Sequence, residues 1–133
     1  MRASAETNSC LCIEIPKFEK DFEGENKTKA THFIIEIVFG GTLWTISRRF
    51  TEFFDLKEAL KKKIENVPDF PKKTLFSVTT NSQLEKRRQK LEVFMKELSK
   101  RRDAILIRDF QKFLKFKQFV PEFSNASLSL VGI

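Results

Sequence analysis

The sequence predicts an α+β domain: a three-stranded antiparallel β-meander packed against a helical subdomain of three to four helices, with a polyproline loop among them. Three observations lead there. Apolar residues alternate with polar ones up to about position 47 and step by three or four after it. A Gly-Gly pair, Gly40-Gly41, separates two of the alternating runs, and Pro68-Asp69-Phe70-Pro71 interrupts the helical pattern. A chain of 133 residues has room for one such domain with one modest core.

The elements follow in order. Cys10 to Ile15 alternates, with Leu11, Ile13 and Ile15 on one face, and reads as the first strand. Cys10 and Cys12 share a strand face and are expected to behave as small apolar residues. Lys17 to Lys29, charged and containing Gly24 and Asn26, reads as a long loop. Phe33, Ile35, Ile37 and Phe39 form the inward row of strand two, and Gly-Gly supplies the positive φ angles of a tight hairpin into strand three, Leu43 to Ser47. Phe53, Leu56, Leu60, Ile64 and Val67 then step at helical spacing, which predicts a helix over 50–66 with Glu52 and Asp55 near its start. The two prolines fix φ and remove donors, so an extended stretch must separate it from the next helix, over 83–100, marked by Leu84, Leu91, Phe94, Met95 and Leu98. Leu106, Phe110, Phe113 and Leu114 mark a shorter final helical region.

Several function classes fall away on composition. The richest apolar run, Phe33 to Phe39, is interrupted by Glu36 and is far shorter than the roughly 20 residues of a spanning helix. The N-terminal residues lack the apolar segment of a signal peptide, and two Cys make no disulfide framework, so a reducing cytosol is the expected compartment. Cys10, Cys12 and the single His32 are too few ligands for a structural zinc, and no other metal or cofactor is expected. With one His, four Gly, and neither a nucleophile elbow nor a phosphate-cradling loop, the chain reads as a non-enzyme.

The net charge of +7 is unevenly distributed: residues 1–47 are net −2, residues 48–101 net +7 and residues 102–133 net +2. Within the basic stretch lie Arg48-Arg49, Lys72-Lys73 and Lys86-Arg87-Arg88, each at a junction of elements or on a helix facing one. An anionic partner follows from that. Nucleic acid is disfavoured, because acids are interleaved in both helices, the Phe residues fall at core spacings and no recognition-helix or zinc-finger pattern occurs.

The string Arg48-Arg49-Phe50-Thr51-Glu52-Phe53, then Phe70-Pro71-Lys72-Lys73, then Arg87-Arg88-Gln89-Lys90-Leu91-Glu92-Val93-Phe94, resembles the phox-homology (PX) domain. Arg49, Lys73 and Arg87 stand 24 and 14 residues apart, with the P-x-x-P segment between the helices. The resemblance covers nearly the whole chain, and implies residues 1–8 as a flexible N-terminus, 9–120 as the domain and 121–133 as a loose tail. It further implies a phosphoinositide-binding module whose usual ligand is phosphatidylinositol 3-phosphate, held in a basic pocket beside the proline loop. Such a chain is expected to be cytoplasmic, peripheral on endosomal or vacuolar membranes, with protein partners through a larger parent. The alternative is a protein-interaction module that keeps the fold with weak or different lipid preference.

By that resemblance Arg49 grips the 3-phosphate, for which the planar guanidinium fork suits two oxygens. Phe50 takes the place of the aromatic, more often Tyr, whose ring floors the pocket against the inositol; a place in the core is its alternative. Lys73 meets the 1-phosphate and Arg87 the 4- and 5-hydroxyls. Lys72 and Arg88 are the neighbouring choices, and Arg48 is expected to point away, lending field strength or pairing with an acid. The uncharged segment Thr74 to Thr80 matches the membrane-insertion loop, with Leu75, Phe76 and Val78 entering the interface while basic residues meet an anionic lipid surface.

Overall fold

The computed structural model describes residues 10–23, 28–72 and 80–124. Strands β1 (Leu11–Glu23), β2 (Thr28–Phe39) and β3 (Thr42–Arg48) form one antiparallel sheet in the order β1-β2-β3. The β2–β3 turn is made by Gly40 and Gly41 at φ 58° and 82°, angles that β-carbon-bearing residues rarely adopt. Leu11, Ile13, Ile15, Phe33, Ile35, Ile37, Phe39, Trp44 and Ile46 are all buried, which is the inward half of the alternation on three strands.

The segment expected to be a charged loop, Lys17 to Lys29, is for the most part strand. Pairing runs through Glu14↔Glu36 and resumes at Lys17↔Ile34, so Ile15 and Pro16 together oppose one residue of β2. That bulge flips the phase of β1: the inward row steps from Ile15 to Phe18, which pairs with Phe33, rings 6.4 Å apart. A period-2 reading loses the strand at that point. β1 and β2 continue together to Glu23↔Thr28, past the end of β3, which stops at Phe33↔Arg48. In a two-stranded ribbon with no third strand alongside, charged side chains remain solvated. His32 lies in this ribbon, half-buried, with Nε2 3.7 Å from Asp21 Oδ2.

Cys10 and Cys12 do not behave as small apolar core residues: both are exposed. Leu11 and Ile13 take the inward face, so the residues between them point outward, where Cys12 pairs with the exposed Val38.

Five helical segments follow among the described residues: α1 (Phe50–Lys61), α2 (Asn81–Ser99), α3 (Arg102–Ile105), α4 (Arg108–Leu114) and α5 (Phe116–Phe119). α1 buries Phe53, Leu56 and Leu60 but ends well before residue 66. Two causes act there. Pro68 disfavours helical geometry at Val67, and the Arg101 guanidinium takes the carbonyls of Asn66 (2.5 Å) and Glu65 (2.6 Å) while Asn66 turns to φ 55°. Ile64 and Val67 still pack on the core, from irregular chain. α2 begins at a reciprocal cap, Gln83 N–H donating to Thr80 Oγ1 (3.2 Å) and Thr80 N–H to Gln83 Oε1 (3.4 Å), and buries Leu84, Leu91, Phe94, Met95 and Leu98. The final helical region is broken into three pieces, the last break at Lys115, which takes the left-handed conformation (φ 60°).

Aromatic side chains join sheet to helices. Phe53 meets Phe33 edge-on at 6.0 Å and Phe113 at 5.1 Å, and Trp44 stacks on Phe119 at 5.5 Å while its Nε1 donates to the Leu114 carbonyl (2.8 Å). No polar or charged residue is buried among the described residues.

Candidate functional site

The junction of β3 and α1 fixes the first two candidates. Arg49 is the N-cap of α1, in extended geometry (φ −87°, ψ 160°), and its N–H donates to Glu52 Oε1 at 2.8 Å. Glu52 thereby ties the chain reversal, as a third-position acid does in a capping box. Strand alternation and this turn send the two arginines different ways. The Arg48 Nε and Nη2 donate to the Phe113 carbonyl (3.1 and 2.8 Å), Nη1 reaches Glu52 Oε2 (3.4 Å), and the guanidinium lies 5.2 Å from the Phe113 ring centre. Arg48 thus ties β3 to α4. The Arg49 side chain is exposed and has no hydrogen-bond or ion-pair partner among the described residues.

Phe50, the first residue of α1, is half-buried and packs against the core edge. Its ring centre lies 5.5 Å from that of Phe70, and the Arg87 guanidinium carbon lies 3.7 Å from the Phe50 centre, a close cation–π contact. Phe70 is the apolar anchor of the proline loop: it meets Phe94 of α2 at 5.0 Å and Phe54 of α1 at 6.2 Å, both edge-on. Lys57 Nζ sits 4.5 Å from the Phe54 centre and 5.5 Å from that of Phe70. The loop that carries Lys72 is therefore held by an aromatic between two helices, and at its entrance by Arg101.

On α2 the neighbouring arginines again divide. Arg88 donates from Nε and Nη2 to both oxygens of Glu85 (2.9 and 2.5 Å) and from Nη1 to the carbonyl of Ile15 (2.5 Å), in the β1 bulge. Glu92, one turn on, accepts from the Ile15 N–H at 2.8 Å. The Arg88 guanidinium and the Gln89 amide hold the Glu85 carboxyl down at about 2. Arg87 makes no such bond among the described residues, and burial pushes its guanidinium below the ordinary value.

A groove of about 990 Å³ runs between the proline loop and α2, with Phe70, Pro71, Lys72, Lys86, Arg87 and Lys90 among its lining residues. Lys72 is exposed on its rim. The structure brings Arg87, Phe50 and Phe70 into contact, and joins Lys72 to them through the groove. Lys73, Leu75, Phe76 and Val78 lie outside the described residues. Sequence reading missed Phe70 as the organiser of the loop, Arg101 as its clamp, and Lys90 as a groove residue beside Lys86, which stood in one of the basic clusters. Phe70 and the lysines were visible in the P-x-x-P segment and in the i, i+4 spacing; Arg101 had no local signal, because its carbonyl partners lie 35 and 36 residues away.

Chemically, the arrangement places a guanidinium against an aromatic face beside a groove lined by Lys72, Lys86 and Lys90, a setting that attracts anions. No group of three or more metal-ligating side chains occurs among the described residues, and no described helix is long and apolar enough to cross a membrane.

A family model for the PX domain matches residues 37–117. Human sorting nexin-22 is 31% identical over 120 residues, covering 86% of this chain, which spans 61% of that relative's length. A designed CISK-PX domain superposes with a TM-score of 0.68 at 33% identity, over 77% of this chain and 96% of the other. The mouse SNX19 PX domain, solved with a bound sulphate ion, superposes at 0.57 and 24% identity over 79% and 96% of the two chains, a likeness of fold. Sequence motif, sheet order and these matches agree: the chain belongs to the PX domain family of non-enzymatic, phosphoinositide-binding modules.

Proposed function

We propose that this domain recognises phosphatidylinositol 3-phosphate and attaches its parent protein peripherally to membranes bearing it, endosomal or vacuolar. The observation that carries this reading is the company of Phe50: its ring is flanked by Arg87, it directly follows Arg49, whose side chain has no partner among the described residues, and Phe70 links it to the loop bearing Lys72. Arg49 supplies a bidentate fork for the 3-phosphate, Phe50 an apolar floor, and Arg87 donors for the ring hydroxyls. A phosphate needs a cation not already neutralised by the protein, which favours Arg49 and Arg87 over Arg48 and Arg88. Lys73, with Lys72 as its neighbour, is assigned to the 1-phosphate, and Leu75, Phe76 and Val78 to insertion at the interface; both assignments rest on family resemblance. The domain is taken as residues 9–120.

The test is liposome sedimentation with a panel of phosphoinositides at two salt concentrations, on the unmodified protein and Arg49→Ala. Selective retention by 3-phosphate liposomes, lost in Arg49→Ala, is expected. Equal binding to every anionic liposome, or retention by Arg49→Ala, contradicts the pocket. Phe76→Ser tests insertion: membrane affinity drops while binding of soluble inositol 1,3-bisphosphate persists, whereas a fall in thermal stability instead makes Phe76 a packing residue.

A further inference from the structure

Pairing in β1 is interrupted at Ile15 and Pro16, which have no register partner in β2, and β1 is an edge strand of the sheet. The Ile15 N–H and C=O are both met from one helix. Glu92 accepts from the N–H and Arg88 donates to the C=O, from positions one turn apart on α2. Arg88 is further locked from behind by Glu85, and its side chain is only 13% exposed. Two polar contacts to a single residue, one on each of its flanking peptide groups, fix more than the distance between helix and sheet. They also fix the rotation of α2 about its own axis, which buried apolar side chains alone, Leu84, Leu91, Phe94 and Leu98, restrain less sharply because dispersion is non-directional.

Arg87 is the next residue, about 100° around the helix. Its guanidinium rests on Phe50 with no hydrogen bond of its own among the described residues, so its aim is inherited from the backbone that carries it. We infer that Arg88, with Glu92 and the β1 bulge, is a positioning device for Arg87: it sets the phase of α2 so that the headgroup arginine faces Phe50. The irregular stretch of β1 is then a functional feature, since Ile15 there meets the helix that bears the proposed ligand-binding side chain. The affinity consequence rests on the headgroup reading proposed above; the placement of Arg87 does not.

The test uses the whole chain and two readouts. With the Arg87 guanidinium carbon 3.7 Å from the Phe50 ring centre, the Arg87 side-chain NMR signals are expected to be shifted upfield by the ring current in the unliganded protein, which reports Arg87 placement without any ligand. Titration with soluble inositol 1,3-bisphosphate reports affinity. Arg88→Ala is expected to abolish the upfield shift and to weaken the headgroup roughly tenfold, as a misaimed charge-assisted donor does. Arg88→Lys, which keeps a donor for the Ile15 carbonyl, restores most of both. Should Arg88→Ala fail to fold, Glu85→Ala releases the guanidinium without orphaning that carbonyl, and is expected to reduce the shift and weaken binding roughly threefold. An Arg87 signal unchanged in the folded variants, with only the thermal midpoint lowered, overturns the inference and leaves Arg88 as a stabilising contact alone. If the unmodified protein binds no inositol 1,3-bisphosphate, the proposed function fails, and the Arg87 signal still decides the positioning.

Discussion

The two arginine doublets, Arg48-Arg49 at the start of α1 and Arg87-Arg88 on α2, are alike in composition and opposite in order. In the first, the leading arginine donates to the Phe113 carbonyl and the following one has no side-chain partner among the described residues; in the second, Arg87 has no hydrogen bond among them and Arg88 holds the Ile15 carbonyl. The difference comes from what each backbone faces. Arg48 ends a strand whose side is covered by α4, and Arg88 lies on the side of α2 turned to the β1 bulge. In both cases a backbone carbonyl of a packed neighbour holds one guanidinium, and the adjacent arginine is the one proposed to meet the headgroup. Position relative to packed elements thus divides each doublet.

Substitutions can break that division, and the largest effect is expected on stability. Arg48→Ala removes two charge-assisted hydrogen bonds and strands the Phe113 carbonyl, at a cost of about 2–3 kcal/mol, read as a fall in thermal midpoint of roughly 10 °C. A midpoint that stays put makes Arg48 a ligand residue after all. Phe50→Ala is expected to weaken soluble headgroup roughly tenfold by removing both the floor and the support of Arg87, whereas Phe50→Tyr keeps the ring and retains affinity. Arg101→Ala frees the Glu65 and Asn66 carbonyls; a loss of about 1 kcal/mol in stability and a severalfold loss of headgroup affinity are expected, because the proline loop is released at its entrance. The smallest effect is a pH dependence. Arg88 holds Glu85 from its ordinary 4.5 down to about 2, so the stability tied to this carboxylate is complete above about 4.5 and is lost as pH falls toward 2. Arg101 lowers Asp103 and Lys63 lowers Asp109 in the same direction. Melts from pH 5 to 2 are expected to show a shallower decline in Arg88→Ala than in the unmodified protein; equal slopes contradict the pairing.

Much of this was legible in the sequence. The inward rows of β2 and β3, the Gly-Gly hairpin and the stripes of α1 and α2 follow from periods that local sterics and burial impose. The β1–β2 ribbon was not, since one bulge at Ile15-Pro16 resets the alternation and charged residues tolerate an isolated ribbon as well as a loop. The end of α1 escaped because its apolar spacing continues through Ile64 and Val67, while the forces that stop it come from Pro68 and the distant Arg101. At the site, the family resemblance proposed Arg49 and Arg87, and the carbonyls of Phe113 and Ile15 that engage Arg48 and Arg88 are tertiary partners with no local signal.

The most direct measurement is calorimetric titration of inositol 1,3-bisphosphate into Arg49→Ala, with a thermal melt of the same sample. If this exposed arginine, without a partner among the described residues, meets the 3-phosphate as proposed, a roughly hundredfold or greater loss of binding with an unchanged midpoint is expected. Retained binding, or a midpoint that falls as it does in Arg48→Ala, contradicts the account.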